Sequence, residues 1–224
     1  MGKGIFEVLF EYWPIFLRGL AGTLEYSFIA VTLGSILGAV VAVIHLSKNK
    51  FVSFIASVYV NVLRGTPLLV QMYISYYFLP MAFPVLNKID KIYFVMFALI
   101  LNSSAYVAEI IRSGINAVDS GQTEAARSLG MTKGQTMLRI VLPQAIKNIL
   151  PALGNELITL FKDTSLVTVI GLTDLTKAAQ QIQAKTYQAF MPYIGIAIMY
   201  LVVVMILTKL LGILERRLRE SDRR

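Results

Sequence analysis

The chain has 224 residues, of which 56% are hydrophobic and 15% charged, and its mean hydropathy is +0.67. Soluble domains carry about 25% charged residues, so this composition excludes an ordinary water-soluble domain and selects lipid as the solvent. There is no cysteine, which removes any disulfide framework or thiolate metal site. The net charge of +8 comes from 21 Lys and Arg against 13 Asp and Glu, and in a chain this oily it reads as membrane topology rather than as a nucleic-acid surface.

In chain order, Ile5–Leu20 places apolar residues at a helical period beside Tyr12 and Trp13. It reads either as a helix lying in the outer interface or as an extension of the first span. Tyr26–Ser47 has no formal charge and one histidine, and is span one. Gly65–Asn87 is uncharged; span two crosses in its first part and is preceded by Phe51–Leu63. Ile92–Ala108 is span three and Thr186–Thr208 is the last. Between these two, Asn148–Thr173 is apolar but interrupted by Glu156, Lys162 and Asp163. Charge parity decides that it crosses. With five spans, the loop of Lys48 and Lys50, the loop from Arg112 to Lys147 and the Arg-rich tail all fall on one side, which is then cytoplasmic. The expectation is an all-α integral membrane protein, a single domain over 1–224, with five spans, N-terminus outside and C-terminus inside.

Charged residues within spans are costly and mark cavities. Glu156, Thr159 and Asp163 stand at i, i+3 and i+7, on one helical face, and so do Asn102, Tyr106 and Glu109 at i, i+4 and i+7. Arg64 and Thr66 open span two. Glu156, Asp163, Asn102, Tyr106 and Thr159 are the candidate substrate-binding residues, with Thr164 and Ser165 as donors if the helix breaks near Asp163. Arg64, Thr66 and Glu109 are candidates for the substrate path or for structural pairing. The competing reading is local neutralisation, of Asp163 by Lys162 and of Glu109 by Arg112. His45 has no ligand-spaced partner, so no metal site is expected.

The stretch from Asp119 to Pro143 differs in kind. Asp119 with Gln122, and Thr132 with Gln135, have capping-box spacing. Gly130 falls at the turn, where a positive φ is needed, and Pro143 marks where the second helix ends or kinks. Ala125, Ala126 and Leu129 form an apolar face on the first helix, and Leu138, Val141 and Leu142 on the second. Such a hairpin, projecting from the cytoplasmic face, suits docking into a groove of another protein; packing on its own membrane domain is the alternative.

Glu124-Ala125-Ala126, three residues, Gly130, nine residues, then Ile140-Val141-Leu142-Pro143 resembles the EAA loop of ABC importer permeases. "SSAYVAEIIRSGI" before it, "LPQAIKNILPALGNELITLFKDTSLVTVIG" after it and "RGTP" at 64–67 resemble the polar amino acid class, of the histidine/glutamine/arginine type. The resemblance implies the type I permease fold, with the hairpin at about 119–143 as coupling element. Glu124, Ala125, Ala126, Arg127, Gly130, Leu138, Ile140 and Pro143 would meet the ATPase.

It implies a dimer of ABC ATPase subunits, a second permease subunit (self or related) and an extracytoplasmic amino-acid-binding protein as partners, in a bacterial or archaeal inner or plasma membrane. ATP and Mg would bind the ATPase, and this chain needs no cofactor. No G-x-x-x-x-G-K-[ST] occurs in the sequence, so hydrolysis is expected elsewhere. Glu156, without a cation of its own, points to a basic amino acid (arginine, lysine or histidine), with glutamine as the alternative. A gradient-driven transporter would show inverted repeats, and five spans do not divide into halves. An intramembrane enzyme would need more than one histidine and no cysteine provide.

Overall fold

The computed structural model describes residues 4–220, and these are helical with no strand among them. The elements are α1 (Ile5–Glu11), α2 (Trp13–His45), α3 (Lys50–Gly65), α4 (Leu68–Tyr73), α5 (Leu79–Ala82), α6 (Ile92–Asn116), α7 (Ser120–Ser128), α8 (Lys133–Thr136), α9 (Leu142–Asp163), α10 (Leu175–Thr186) and α11 (Phe190–Glu220). A π turn at Ile74–Phe78 joins α4 to α5, and another at Met137–Val141 joins α8 to α9.

By length and hydropathy, α2, α6 and α11 are each able to cross a membrane. The pair Lys50–Gly65 and Leu68–Ala82 qualifies only together, and is bent by 104°. The break follows from Pro67, which holds Thr66 extended (φ −119, ψ 144) and starts the next helix as its N-cap. Its partners show that the pair is one crossing. Ala56 and Val60 cluster with Ala108, the Tyr59 hydroxyl pairs with Ser104 Oγ at 2.6 Å, and Ser75 donates to Phe94 O. The chain thus advances steadily along α6 and does not turn back.

The fourth crossing, α9, is too polar to qualify by hydropathy alone. It runs antiparallel to α6, from Ile149 beside Gly114 to Leu160 in the cluster of Leu99 and Ala98. It then passes into a 3-10 segment, Thr164–Ile170. Further along, Leu211 of α11 packs on Gly154 and Tyr200 on Phe161. The five crossings therefore alternate in direction, and the described ends of the chain lie on opposite sides.

The core is a seam of small residues between α2 and α6. A Cβ on Gly34 would lie 2.7 Å from Ser103 Cβ, and one on Gly38 would lie 2.7 Å from Val107 Cβ. The absence of side chains lets these backbones approach. The outer lipid-facing positions carry Phe28, Ile36, Val43, Leu201 and Met205, all exposed, as a bilayer solvent permits.

The boundaries differ from those read in the sequence. Ile5–Leu20 is not one interfacial helix: it breaks at Tyr12, and Trp13 onwards belongs to the first span, which is 33 residues long. Pro14 sits in its first turn, where a missing N–H costs nothing. The last span begins at Phe190, not Thr186, because Tyr187 takes a left-handed conformation (φ 56) that ends α10. The first basic loop and the hairpin do lie together: the Lys48 ammonium is near Lys133 and pulls its pKa below the usual value, with Arg127 adding to the effect.

Candidate functional site

A cavity of about 480 Å³ opens at the bend between α3 and α4. Its wall is built from Arg64, Thr66, Asn102, Tyr106, Glu156, Thr159 and Asp163, with Gly65, Pro67, Leu68 and Leu166. Seven residues singled out in the sequence are thus brought together from three crossings. The stripes on α6 and α9 face each other because the helices pack antiparallel, and the broken helix supplies the third wall. Glu156 is 9% exposed, and neither it nor Asp163 has an ion pair within 4.0 Å among the described residues. Lys162, whose side chain is exposed, makes no ion pair with Asp163 within 4.0 Å, although its charge still acts on that carboxylate.

Three of the singled-out residues lie outside the wall of this cavity. Thr164 is fully buried and its Oγ1 donates to Phe161 O at 2.7 Å, so its hydroxyl satisfies the last turn of α9 and does not line the cavity. Ser165 also lies outside the wall, because the chain continues as a 3-10 helix and exposes no row of free amides there. Glu109 belongs to a second cavity and is held by Arg112, with Nε–Oε2 at 2.9 Å and Nη2–Oε1 at 2.5 Å.

Gln71 escaped the sequence reading. Its Nε2 donates to Leu63 O (2.7 Å), Thr66 O (3.1 Å) and Thr66 Oγ1 (2.8 Å), and its Oε1 accepts from Asn102 Nδ2 (3.0 Å). It thereby satisfies the carbonyls freed at the helix break and fixes the amide of Asn102. The signal was a lone glutamine in an uncharged span, a few residues beyond Thr66.

The hairpin matches its local signals in most respects. Thr132 and Gln135 form the capping box, with Thr132 N–H to Gln135 Oε1 at 2.8 Å and Gln135 N–H to Thr132 Oγ1 at 3.3 Å. Gly130 has φ +84, and Met131 N–H reaches Ala126 O at 3.2 Å, closing a Schellman turn. Arg127 Nη1 donates to Met131 O across the same turn. At the first helix only half the box forms: Asp119 accepts from Gly121 N–H at 2.6 Å, and Gln122 does not return the bond. Pro143 does not end the second helix, because the π turn before it widens the coil and Gln144 Nε2 caps Ile140 O at 2.9 Å. The second arm and the fourth crossing are therefore one helix, residues 133–163. Ala126 and Val141 face inward, whereas Leu129 is 85% and Leu138 66% exposed, with Glu124, Ala125, Arg127 and Pro143 also at the surface and Ile140 partly so.

An alternating helical bundle with a polar cavity at mid-depth and a capped hairpin on one face defines a polytopic transport protein rather than a structural bundle. Residues 30–220 match the model of the binding-protein-dependent transport system inner membrane component, and the chain belongs to that family. It is 46% identical over 209 residues to the arginine transport system permease protein ArtQ of Bacillus subtilis, covering 93% of this chain and 94% of the relative. It is 41% identical to a putative glutamine transport system permease protein GlnP of Rickettsia bellii, covering 96% and 99%.

Among solved structures, an amino acid ABC transporter crystallised with histidines matches with a TM-score of 0.91 and 48% identity, over 97% of this chain and 100% of that one. An inward-facing MetNI methionine ABC transporter shares the fold alone, with a TM-score of 0.77 at 19% identity over 91% and 96%. The resemblance carried by the EAA loop and its flanks is borne out.

Proposed function

We propose that this chain is the membrane-spanning subunit of an ATP-driven importer of a basic amino acid, and that the cavity at the α3–α4 break is where the substrate sits. The observation that carries this reading is the pair Glu156 and Asp163, two carboxylates in one cavity wall with no ion pair within 4.0 Å among the described residues. An unpaired acid at this depth is expensive, and a cationic side chain relieves the cost. Asn102, Tyr106 and Thr159 line the same space and set its shape. The name of the arginine permease relative supports arginine. The glutamine permease relatives support a second reading, in which the carboxylates orient the substrate's amino group.

Movement of the substrate is by alternating access. The exposed leucines and Glu124 of the hairpin dock on a separate ATPase dimer, which carries ATP and Mg. A second permease subunit and an extracytoplasmic binding protein complete the importer. The N-terminus lies outside and the hairpin and C-terminus in the cytoplasm, in keeping with the clustering of basic residues.

The test is uptake of labelled arginine, with unlabelled glutamine as competitor, by the assembled importer in proteoliposomes. Glu156→Gln and Asp163→Asn should each lower the preference for arginine by about tenfold or more, the equivalent of losing one charge-assisted contact. Unchanged preference in both variants, or a wild type that prefers glutamine, rules out selection of positive charge by these carboxylates.

A further inference from the structure

A second cavity, of about 440 Å³, lies beside the first and nearer the hairpin. Both are lined by the same two helix faces. On α6 the face runs from Asn102 in the first cavity, through Tyr106, to Ser113 and Ala117 in the second. On α9 it runs from Asp163 and Glu156 in the first to Ala152 and Asn148 in the second. The steps are three or four residues throughout, so the two spaces are successive chambers along one path. Two residues line both: Arg64 and Tyr106.

These two touch. The Arg64 guanidinium carbon sits 5.3 Å from the centre of the Tyr106 ring, and Arg64 Nη1 lies 3.8 Å from Glu109 Oε2. Glu109 is shared, because Arg112, one turn closer to the hairpin, holds the same carboxylate at 2.5–2.9 Å. Arg64 therefore has the longer and weaker claim on Glu109.

We propose that Arg64, laid over Tyr106 and tethered to Glu109, is the gate between the substrate cavity and an inner vestibule, and that Arg112 keeps Glu109 paired when Arg64 lets go. The proposal rests on reading the first cavity as the substrate cavity. Two cations share one anion. With Arg64 on Glu109 the planar guanidinium and the ring close the path. Because Arg112 already holds both oxygens of Glu109, the longer Arg64 contact can break while the carboxylate stays paired, and Arg64 is then free to swing away from Tyr106. Arginine suits this position better than lysine, since its flat group both stacks on the ring and pairs with the acid. The vestibule beyond carries Glu109, Ser113 and Asn148, which suits brief passage of a cationic, hydrogen-bonding solute.

The cysteine-free sequence permits a direct test. Thr159→Cys places a thiol in the first cavity and Ser113→Cys places one in the vestibule. Each is made in the full chain, assembled with its ATPase, and labelled with a membrane-impermeant maleimide applied from the hairpin side without nucleotide. With Arg64 intact, Ser113→Cys should react quickly and Thr159→Cys slowly. Adding Arg64→Ala should raise the Thr159→Cys rate by about tenfold or more, since a cation–π contact and an ion pair are lost together. The Ser113→Cys rate should stay as it was.

Glu109→Gln should act in the same direction, and Arg64→Lys should restore part of the protection. If Arg64→Ala does not reach the membrane, Tyr106→Leu opens the same contact and is judged by the same two rates. Equal Thr159→Cys rates with and without the gate contact, or equal rates in Arg64→Ala and Arg64→Lys, overturn the proposal. Labelling needs no amino acid, so a chain whose substrate proves not to be basic still passes or fails here on geometry alone.

Discussion

Gln71 illustrates how much of the cavity depends on one side chain that does not face a substrate. Its amide answers the carbonyls of Leu63 and Thr66 just before the break and the carboxamide of Asn102. In lipid no water can take over those carbonyls. Gln71→Leu should therefore lower stability by about 1–3 kcal/mol. In detergent this should appear as a fall in Tm of roughly 2–10 °C. A Tm within one degree of wild type would mean that the freed groups find other partners. The residues of the wall were legible in the sequence where charge in an oily stretch marks them, as with Glu156 and Asp163. Gln71 was not, because its partner Asn102 is 31 positions away and nothing local links them. Thr164 was expected as a donor if the helix breaks near Asp163; the α-helix does end there, but the hydroxyl turns back to Phe161 O and satisfies the helix that carries it.

Among the elements, the hairpin was the most readable, since caps and turns are set by neighbours. Thr132 with Gln135 and Gly130 follow from local chemistry alone. Gly130 has open space around a would-be Cβ, so only its φ of +84 matters. Gly130→Ala should cost about 1–2 kcal/mol, the penalty for an L-residue in that region, and should loosen the turn rather than clash. The measurement is substrate-stimulated ATPase activity of the assembled importer, which should fall while membrane insertion stays normal. Full stimulation in the variant would show that the hairpin tolerates a relaxed turn. The broken second crossing was only half readable. Pro67 signals an interruption, but the 104° bend also packs against α6, which is distant in sequence.

For the whole molecule, the distribution of Lys and Arg foresaw which segments share a side, because orientation responds to a simple excess of positive charge. It did not foresee which spans touch. That depends on Gly34 and Gly38 meeting Ser103 and Val107, a complementarity of small residues with no signature in hydropathy. The orientation itself is testable with single cysteines at Lys48, Lys133 and Gln188. Lys48→Cys and Lys133→Cys should react with an impermeant reagent only from the cytoplasmic side, and Gln188→Cys only from the outside. The reverse pattern would invert the topology and remove the hairpin from reach of an ATPase.

The π turn at Met137–Val141 has a consequence for how the second arm is phased to the fourth crossing. A π turn amounts to one extra residue wound into an α-helix. Each residue of an α-helix rotates the coil by about 100° and lengthens it by about 1.5 Å. Without the extra residue, everything before Met137 would be turned by that angle relative to Glu156 and Asp163. The wide turn is thus an angular offset built into a single shaft. It lets the same helix present one azimuth to the polar cavity and another to the hairpin's exposed face.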